Sequence, residues 1–515
     1  MNSNITPLLT AHLFVSDKNS WDGFDEMLKE LEERGITVKI YKPNDPLVNI
    51  NPKNPRVYVS LGENEEMFTT LYALPLHERK RWLHYNSAKN IKPDYLFHCW
   101  LFYTDPLPEN KIIPINHFTS NTPLISVFTA TYKSKEKIQR VYKSLLSQTY
   151  PNWEWVIIDD SGDNDLTYKK DLLPLKDSRV RRYRQDRRNG YIGATKRYAA
   201  GMCTGEILVE MDHDDEITPD CLEKIVKAFM EHPECGFAYG DCAEPFVGTN
   251  ESNWYGWDCG FGYDIYYRVW VHKMNRWQNV LRNTVVNGTT MRHLVGLPNH
   301  PRAWTRDCYH LLGGHREELL VADDYDLLVR SFLCTKYLCI PDLLYIQYRN
   351  ENGDNSTFTR NKQIQILVSE LYKYYGERIH ARVKELGVHE FVSYNRVWER
   401  DEDDDACKTA HIINEASSKV SMIFPIPFSA PNVRNNKLFE ALQKGLETNF
   451  KDMEILVVGR IPEEIEIFAA KAPMGAIRWW PMEKEDSLET CIKYAKYCSS
   501  CKEKVVILPE AENNK

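Results

Sequence analysis

The sequence predicts an α/β protein whose central domain is a mostly parallel sheet covered by helices. Three observations carry this prediction. An apolar run at 124–128 is followed by apolar residues at helical spacing from Ile138 to Leu146, and then by a second apolar run at 155–158. The alternation of strand and helix continues to about residue 350, as crossover connections in a parallel sheet require. Acidic residues also stand directly after two of the predicted strands.

Composition indicates a globular protein of two or three domains rather than one. The chain has 515 residues, of which 43% are hydrophobic and 27% are charged. A net charge of -8 argues against a general nucleic-acid binder. No apolar run is long enough to span a bilayer and no secretory signal is visible, so we expect no transmembrane segment and a cytoplasmic location. The 13 cysteines are scattered and odd in number, which favours reduced thiols.

Residues 1–119 are predicted to form a small α/β domain. A strand at 13–15 precedes a helix that Gly35 ends, and a second strand follows at 38–41. Two further strands are predicted at 57–59 and 95–97. This region has no motif that indicates chemistry, so its role stays open.

Two acidic clusters mark the central domain, which we place at 120–360. Asp159 and Asp160 end one apolar strand, and the cluster Asp212-His213-Asp214-Asp215 ends another. In an open α/β sheet, ligands bind outside the carboxyl ends of the strands, so these carboxylates should meet in one crevice. The arrangement favours a nucleotide and metal site.

We interpret the chain as repeating its own pattern after a helical and acidic linker at 361–410. Within 411–515, apolar segments at 420–424, 453–458 and 505–508 correspond to the central strands at an offset of roughly 295 to 300 residues. The second copy carries Gly459-Arg460 where the first has Asp159-Asp160, and its last strand leads to Glu510-Ala511-Glu512-Asn513. We therefore expect this partial repeat to be inactive.

Three motifs follow one another across the central domain. They read ISVFTATYKSKEKIQRVYKSLLSQTYPNWEWVIIDDSGDN, NGYIGATKRYAAGMCTGEILVEMDHDDEITPD and GGHREELLVADDYDLLVR. Together they resemble the family 2 glycosyltransferases, which have the GT-A fold. The resemblance implies an inverting enzyme that moves a sugar from a nucleotide diphosphate donor, UDP-sugar favoured, to a hydroxyl of a glycan or glycoconjugate. The partial repeat resembles the first half of the same domain.

The resemblance assigns the second acidic cluster to the donor and a divalent cation. By this likeness Asp212 or Asp214 faces the sugar of the nucleotide, and Asp214 and Asp215 hold Mn²⁺ or Mg²⁺. A hard dication held by carboxylates would neutralise the diphosphate leaving group. The alternative is an acidic loop at the amino end of a helix, since Thr218-Pro219-Asp220 follows.

Donor contacts are also implied for residues before this cluster. Asp160, with Asp159, would accept a hydrogen bond from the base, and a group that only accepts favours the imide nitrogen of a pyrimidine. Both could instead be turn residues before Ser161. Tyr132 would stack on the base or lie in the core, and Lys196 would contact the donor or be a solvated helix lysine.

The third motif supplies the predicted general base. Asp324 aligns with the family's base, which takes the proton of the acceptor hydroxyl, although the pair here is Asp323-Asp324 where the family usually has Glu-Asp. The alternative is that this aspartate stabilises the amino-terminal end of a helix. The family often has a His after a Tyr-Arg pair in its tail; here Tyr348-Arg349 is followed by Asn350, which leaves the third metal ligand open.

An aromatic segment between Trp254 and Trp277 could contact the acceptor, because sugars stack on aromatic rings. The acceptor candidates are Trp254, Trp257 and Asp323; a buried core or an interdomain contact explains the aromatic residues equally well. At the level of the whole protein, the alternative to a transferase is a non-catalytic protein that binds sugar nucleotides or acts as a scaffold in glycan assembly.

Overall fold

The structure is a computed structural model. It describes residues 7–16, 21–47, 54–104, 115–162, 164, 166, 168–186, 188–254, 266–282, 286–349, 359–387, 411–426, 436–461, 463–481 and 487–508.

The amino-terminal domain is a four-stranded parallel sheet with helices. Its strands lie in the order β2-β1-β3-β4. The elements are β1 (Leu9–Val15), α1 (Phe24–Glu33), β2 (Ile36–Tyr41), β3 (Arg56–Leu61), α2 (Glu65–Tyr72), α3 (Leu76–Arg79), β4 (Trp82–Tyr85) and α4 (Pro93–Thr104).

The prediction of a strand at 95–97 is wrong, because these residues lie inside α4. A short apolar run fits a strand or a buried helix equally well. The helix is explained by Pro93 at its first position and by burial at helical spacing of Leu96, Phe97, Trp100 and Leu101.

The central domain contains the strands β5 (Ile125–Thr131), β6 (Trp153–Asp159), β7 (Val180–Arg184), β8 (Ile207–Glu210), β9 (Glu216–Ile217), β10 (Cys235–Ala243), β11 (Tyr266–Val271), β12 (Arg276–Leu281), β13 (Arg302–Thr305) and β14 (Lys336–Ile346). Its helices are α5 (Ile138–Leu146), α6 (Ile192–Gly201), α7 (Cys221–Glu231), α8 (Gly288–His293), α9 (Arg306–Leu311), α10 (Asp323–Cys334) and α11 (Asn361–Leu386).

The central sheet is parallel where the motifs lie and mixed beyond them. β7, β6, β5 and β8 are neighbours in that order and run parallel. β13 then pairs antiparallel with β8, and β10 pairs antiparallel with β13 and parallel with β14. Successive residues of β5, such as Val127 and Phe128, enter separate cores on the two faces, which explains why these strands read as continuous apolar runs.

Helix α11 contains the residues in which a helix was predicted from Ile364 to Tyr375. Its buried face, which includes Leu371 and Tyr375, packs against α4, α8 and α10 rather than leading away from the central domain. The acidic run at 401–405 lies outside the described residues. No helix in the described ranges is both long and apolar enough to cross a bilayer.

The carboxyl-terminal region contains β15 (His411–Ile413), β16 (Ala416–Ile426), α12 (Asn436–Glu447), β17 (Met453–Gly459), α13 (Ile465–Ala469), β18 (Ile477–Trp480), α14 (Leu488–Cys498) and β19 (Cys501–Val506). Its parallel strand order, β19-β16-β17-β18, matches the central order β8-β5-β6-β7.

A buried polar pair is repeated between the two regions. Ser126 donates to Glu154 at 2.6 Å between β5 and β6, and Ser421 donates to Glu454 between β16 and β17. The same pair at the same place in both sheets supports a duplication. The two sheets are continuous, since β18 pairs antiparallel with β11.

Candidate functional site

The predicted carboxylates gather at the carboxyl ends of β6 and β8, together with residues from three further elements. β13 lies beside β8 with Arg302 opposite Glu210. Helix α10 begins at Asp323, and α6 supplies Lys196. The site is therefore assembled by the register of β8 and β13 and by the start of α10.

Glu210, the last residue of β8, is the buried centre of this site. Its carboxylate lies 2.6 Å from Lys196 Nζ, 3.5 Å from His315 Nε2 and 3.9 Å from Arg302. Burial alone would raise the pKa of Glu210, but these neighbours hold it well below its ordinary value. The Lys196 ammonium is likewise held charged, its pKa raised by Glu210 and Asp323 against the effect of burial. Lys196 is thus a buried ion-pair partner.

Asp324 is the open, ionised carboxylate of the third motif. Its side chain is 32% exposed, and Oδ2 accepts a hydrogen bond from Arg302 at 3.1 Å. Burial raises its pKa, but Arg302 and Lys196 outweigh burial and lower the pKa below the ordinary value. Asp324 can therefore accept a proton from a group in the crevice at neutral pH.

Asp323 points inward, unlike its neighbour. Its side chain is buried, and burial raises its pKa above the ordinary value, although Lys196 and His315 act in the opposite direction. A side chain at Gly193 would come within 2.8 Å of Asp323 Cβ, so the close approach of α6 requires glycine there. Because the Asp323 side chain is buried, it is not exposed to an acceptor in this structure, which differs from the predicted contact.

Asp215 anchors the loop after β8 to β14. Its Oδ2 accepts from the Tyr345 hydroxyl at 2.9 Å and its Oδ1 from the Tyr348 amide at 2.8 Å. Burial, then Asp214 and Asp212, raise its pKa well above the ordinary value. Each oxygen thus accepts one hydrogen bond within the protein, and the role of Asp215 as a cation ligand stays a prediction.

Asp212 and Asp214 are the more accessible members of the cluster. The Asp212 side chain is 34% exposed, and its Oδ2 lies 3.7 Å from His300 Nε2. The Asp214 side chain is 20% exposed and lies 3.6 Å from Lys137 Nζ. Both carboxylates are thus partly open to solvent.

His300 is a site residue that the sequence did not reveal. It is buried, stacks on Tyr345 with ring centroids 4.8 Å apart, and its Nδ1 has no hydrogen-bond partner among the described residues. Burial, with Arg302 nearby, lowers its pKa to about 4, so the imidazole is neutral. One ligand atom from each of Glu210, Asp212 and His300 lies within 4.8 Å of the others. Carboxylates and a neutral imidazole are groups that can bind a divalent cation.

Asp159 and Asp160 shape the turn after β6. Asp159 Oδ1 accepts from the amide and hydroxyl of Ser161, at 3.1 and 2.6 Å. The Asp160 carboxylate accepts from the amides of Asn189 and Gly190, at 2.5 and 2.9 Å. Asp159 thus stabilises the turn at Ser161, and Asp160 ties the segment before α6 to the end of β6.

Tyr132 lies at the mouth of the crevice rather than in the core. It is 37% exposed, and the Arg188 guanidinium lies 4.3 Å from its ring centroid. An exposed ring with a cation on its face is suited to stacking on a base.

The aromatic segment divides into two parts. Trp254 is 56% exposed and stacks on Tyr266 with centroids 4.4 Å apart. Trp277, further along, packs edge-on against Trp479 of the carboxyl-terminal region. The second part is an interdomain contact, which was one of the alternatives. Trp257 lies outside the described residues.

Comparison with known proteins identifies the central domain. Residues 126–292 match the model of the family described as "Glycosyl transferase family 2". The chain is 32% identical to the putative colanic acid biosynthesis glycosyl transferase WcaA of Escherichia coli over 22% of this chain and 39% of that protein. It is 24% identical to the hyaluronan synthase of Pasteurella multocida, over 68% of this chain and 33% of the synthase. The chain thus spans well under half the length of these relatives.

Solved structures are similar at lower identity. The S. aureus TarS structure in complex with UDP-GlcNAc is 16% identical with a TM-score of 0.34, over 44% of this chain and 59% of TarS. The mannosyltransferase PcManGT of Pyrobaculum calidifontis, in complex with GDP-Man and Mn²⁺, is 15% identical with a TM-score of 0.34, over 57% of this chain and 76% of PcManGT.

Proposed function

Because the central domain of this chain belongs to glycosyltransferase family 2 and has the GT-A fold, we propose that the protein transfers a sugar from a nucleotide diphosphate to a hydroxyl group of a glycan or glycoconjugate. The observation that carries this proposal is the pairing of Asp324 with Arg302 beside the buried Lys196–Glu210 ion pair. This arrangement keeps one accessible carboxylate ionised at the crevice.

Asp324 is the proposed general base. In an inverting single displacement, the acceptor oxygen attacks the anomeric carbon as its proton moves to a carboxylate, and the nucleotide diphosphate leaves from the opposite face. Arg302 holds the Asp324 carboxylate by one hydrogen bond, and the backbone amide of Tyr325 holds the other oxygen at 2.8 Å. Both contacts fix the direction in which the carboxylate faces the acceptor.

The residues present fit a divalent cation, and we assign its ligands to Asp212, Asp214 and His300. Glu210 lies close to Asp212 and His300, but Lys196 and Arg302 already compensate its charge. A bound Mn²⁺ would neutralise the charge of the leaving diphosphate. His300 then takes the place of the histidine that the family often carries after the Tyr-Arg pair.

A UDP-sugar is the favoured donor. Asp160 uses both oxygens on the amides of Asn189 and Gly190, but each carboxylate oxygen has a second lone pair that can accept from the imide N–H of uracil. Tyr132, with Arg188 on its ring, would cover the base.

Release of nucleotide from the donor tests the proposal. Purified protein with Mn²⁺ and a panel of UDP-, GDP- and dTDP-sugars should release a nucleoside diphosphate slowly from one of them, and faster with an acceptor glycan. Asp324→Asn should lower transfer about 100-fold or more while donor binding, measured by calorimetry, is kept. Asp307→Asn, an exposed aspartate on α9, serves as the control. If no donor binds, or if Asp324→Asn transfers as fast as Asp307→Asn, the proposal fails.

A further inference from the structure

A groove of about 550 Å³ lies between the amino-terminal domain and α11, away from the carboxylate site. This volume is in the range of sites that bind small molecules. Six of its eight lining residues carry aromatic rings: Tyr85, Tyr95, His98, Phe102, Tyr103 and Tyr374. They come from β4, α4 and α11.

Three of these rings are open to solvent along one helix. Tyr95, Phe102 and Tyr103 of α4 are 60%, 48% and 41% exposed. Clusters of exposed rings are uncommon on a protein surface without a binding role. These rings therefore point to a ligand with apolar faces.

Two polar atoms of the groove residues lack partners. His98 Nε2 and the Tyr374 hydroxyl are buried, and neither has a hydrogen-bond partner in the described part of the chain. The two rings meet edge to face, with centroids 5.8 Å apart. Burial lowers the pKa of His98; Asp94 acts in the opposite direction and Lys373 in the same direction. A buried polar group without a partner costs stability.

The chemistry of the lining selects the ligand class. The eight lining residues include no carboxylate, lysine or arginine, so the groove suits an uncharged ligand. A pyranose has C–H faces that stack on aromatic rings and hydroxyls that donate and accept.

We propose that this groove binds a neutral oligosaccharide, the distal part of the acceptor glycan. The assignment to an acceptor rests on the proposed function. Tyr374 is followed on α11 by Tyr375, whose hydroxyl donates to Asp326 of α10 at 2.7 Å. Helix α11 thus lines the groove with Tyr374 and contacts α10, which begins with Asp323 and Asp324, with Tyr375. A glycan held in the groove could therefore extend toward the site where its other end reacts.

Binding of defined glycans tests the proposal. We would titrate cellohexaose, chitohexaose and maltohexaose into the full chain and into the double variant Tyr95→Ala/Phe102→Ala, which removes two exposed rings. At least one hexasaccharide should bind, and the double variant should weaken it about tenfold or more. Tyr72→Ala, an exposed tyrosine of α2 outside the groove, should bind as the natural chain does.

Three results would overturn the groove assignment. They are binding of none of the hexasaccharides, equal binding by the double variant, or binding of an apolar dye that the double variant loses while no hexasaccharide binds. Nucleotide release from the donor is measured on the same preparations. Glycan binding without donor turnover would defeat the proposed function and leave the groove assignment standing, and the reverse result would defeat only the groove assignment.

Discussion

At the scale of single residues, each of two buried cations pairs with one carboxylate of the site. Lys196 pairs with Glu210, and Arg302 pairs with Asp324 while lying 3.9 Å from Glu210. A buried charge without a partner is costly, so each carboxylate depends on its cation to stay ionised. The reactivity of Asp324 is therefore set by Arg302.

Replacing Arg302 should change the pH dependence of transfer. Asp324 accepts a proton only when ionised, so activity is lost as pH falls through its pKa. Arg302→Gln removes the charge that lowers this pKa, so the pKa rises and the acidic limb of the pH–rate profile moves to higher pH. Arg302→Lys keeps the charge and should move the acidic limb of the pH–rate profile less than Arg302→Gln does. Identical profiles for the two variants would contradict this role.

Replacing His300 should weaken cation binding. If His300 contributes one ligand, His300→Ala should raise the dissociation constant for Mn²⁺ about tenfold or more, as followed by calorimetry or by the electron paramagnetic resonance of free Mn²⁺. His272→Ala removes an exposed histidine and is the control. Equal Mn²⁺ affinity in both variants would exclude His300 from the ligand set.

Sequence motifs indicated Asp160, Asp212 and Asp324, but could not indicate their partners. Arg302 and His300 reach the site because β13 pairs antiparallel with β8, and no spacing rule along the chain predicts that pairing. Glu210 was visible as the end of an apolar strand. Its role depends on the cations that the fold brings to it.

At the scale of elements, the amino-terminal domain contacts residues 316–318, the segment that leads into α10. Helix α10 begins with Asp323 and with Asp324, the proposed general base. Glu318 accepts from both terminal nitrogens of Arg81, at 3.3 and 3.1 Å, and from the Trp100 indole at 2.7 Å. Arg316 donates to the Leu101 carbonyl at 3.1 Å and to Asp326 of α10 at 2.9 Å. These contacts give a positioning role to a domain whose sequence showed none.

Replacing Glu318 should disturb both stability and transfer. Glu318→Gln removes the charge opposite Arg81 at a mostly buried site, which should lower the free energy of unfolding by about 1–3 kcal/mol. Because the segment leads to Asp324, kcat should fall while donor affinity is kept. The neighbouring Glu317→Gln, with a side chain 60% exposed, is the control. Urea unfolding and steady-state kinetics check both effects, and matching values for the two variants would exclude the positioning role.

Helices and strands were predicted correctly from the spacing of apolar residues wherever that pattern was long. The helix around Ile138 and the strands that lead to Asp159 and to Asp212 lie where they were predicted. The apolar run at 95–97 was too short to decide between strand and helix, and packing against α11 decided it. The antiparallel β13 could not be predicted, since its residues show no alternation that separates it from a buried turn.

At the scale of the whole molecule, one sheet runs through the central domain and the carboxyl-terminal region. The matching strand order of the two regions was predicted from the spacing of apolar residues along the chain. The joining of the two sheets could not be predicted, since it depends on β18 pairing with β11 across more than 200 residues of chain. The join places Trp479 against Arg268, whose guanidinium lies 4.4 Å from the indole ring centroid. The region therefore supports β11 and β12, which contain the second part of the aromatic segment.

Arg478 is the buried link that should make the two regions unfold together. It is 1% exposed and donates to Asp342 at 2.8 Å and to the Pro341 carbonyl at 3.0 Å, both at the bend of β14 in the central domain. Arg478→Met leaves Asp342 with Lys224 as its remaining partner. Removing one member of a buried ion pair costs about 3–5 kcal/mol, and we expect the lower end because Lys224 stays.

Calorimetric unfolding should show one transition for the natural chain and an earlier, broader or divided one for Arg478→Met. Lys502→Met, on the exposed side of β19, should unfold as the natural chain does. If both variants unfold at the same temperature, the carboxyl-terminal region is attached without stabilising the central sheet.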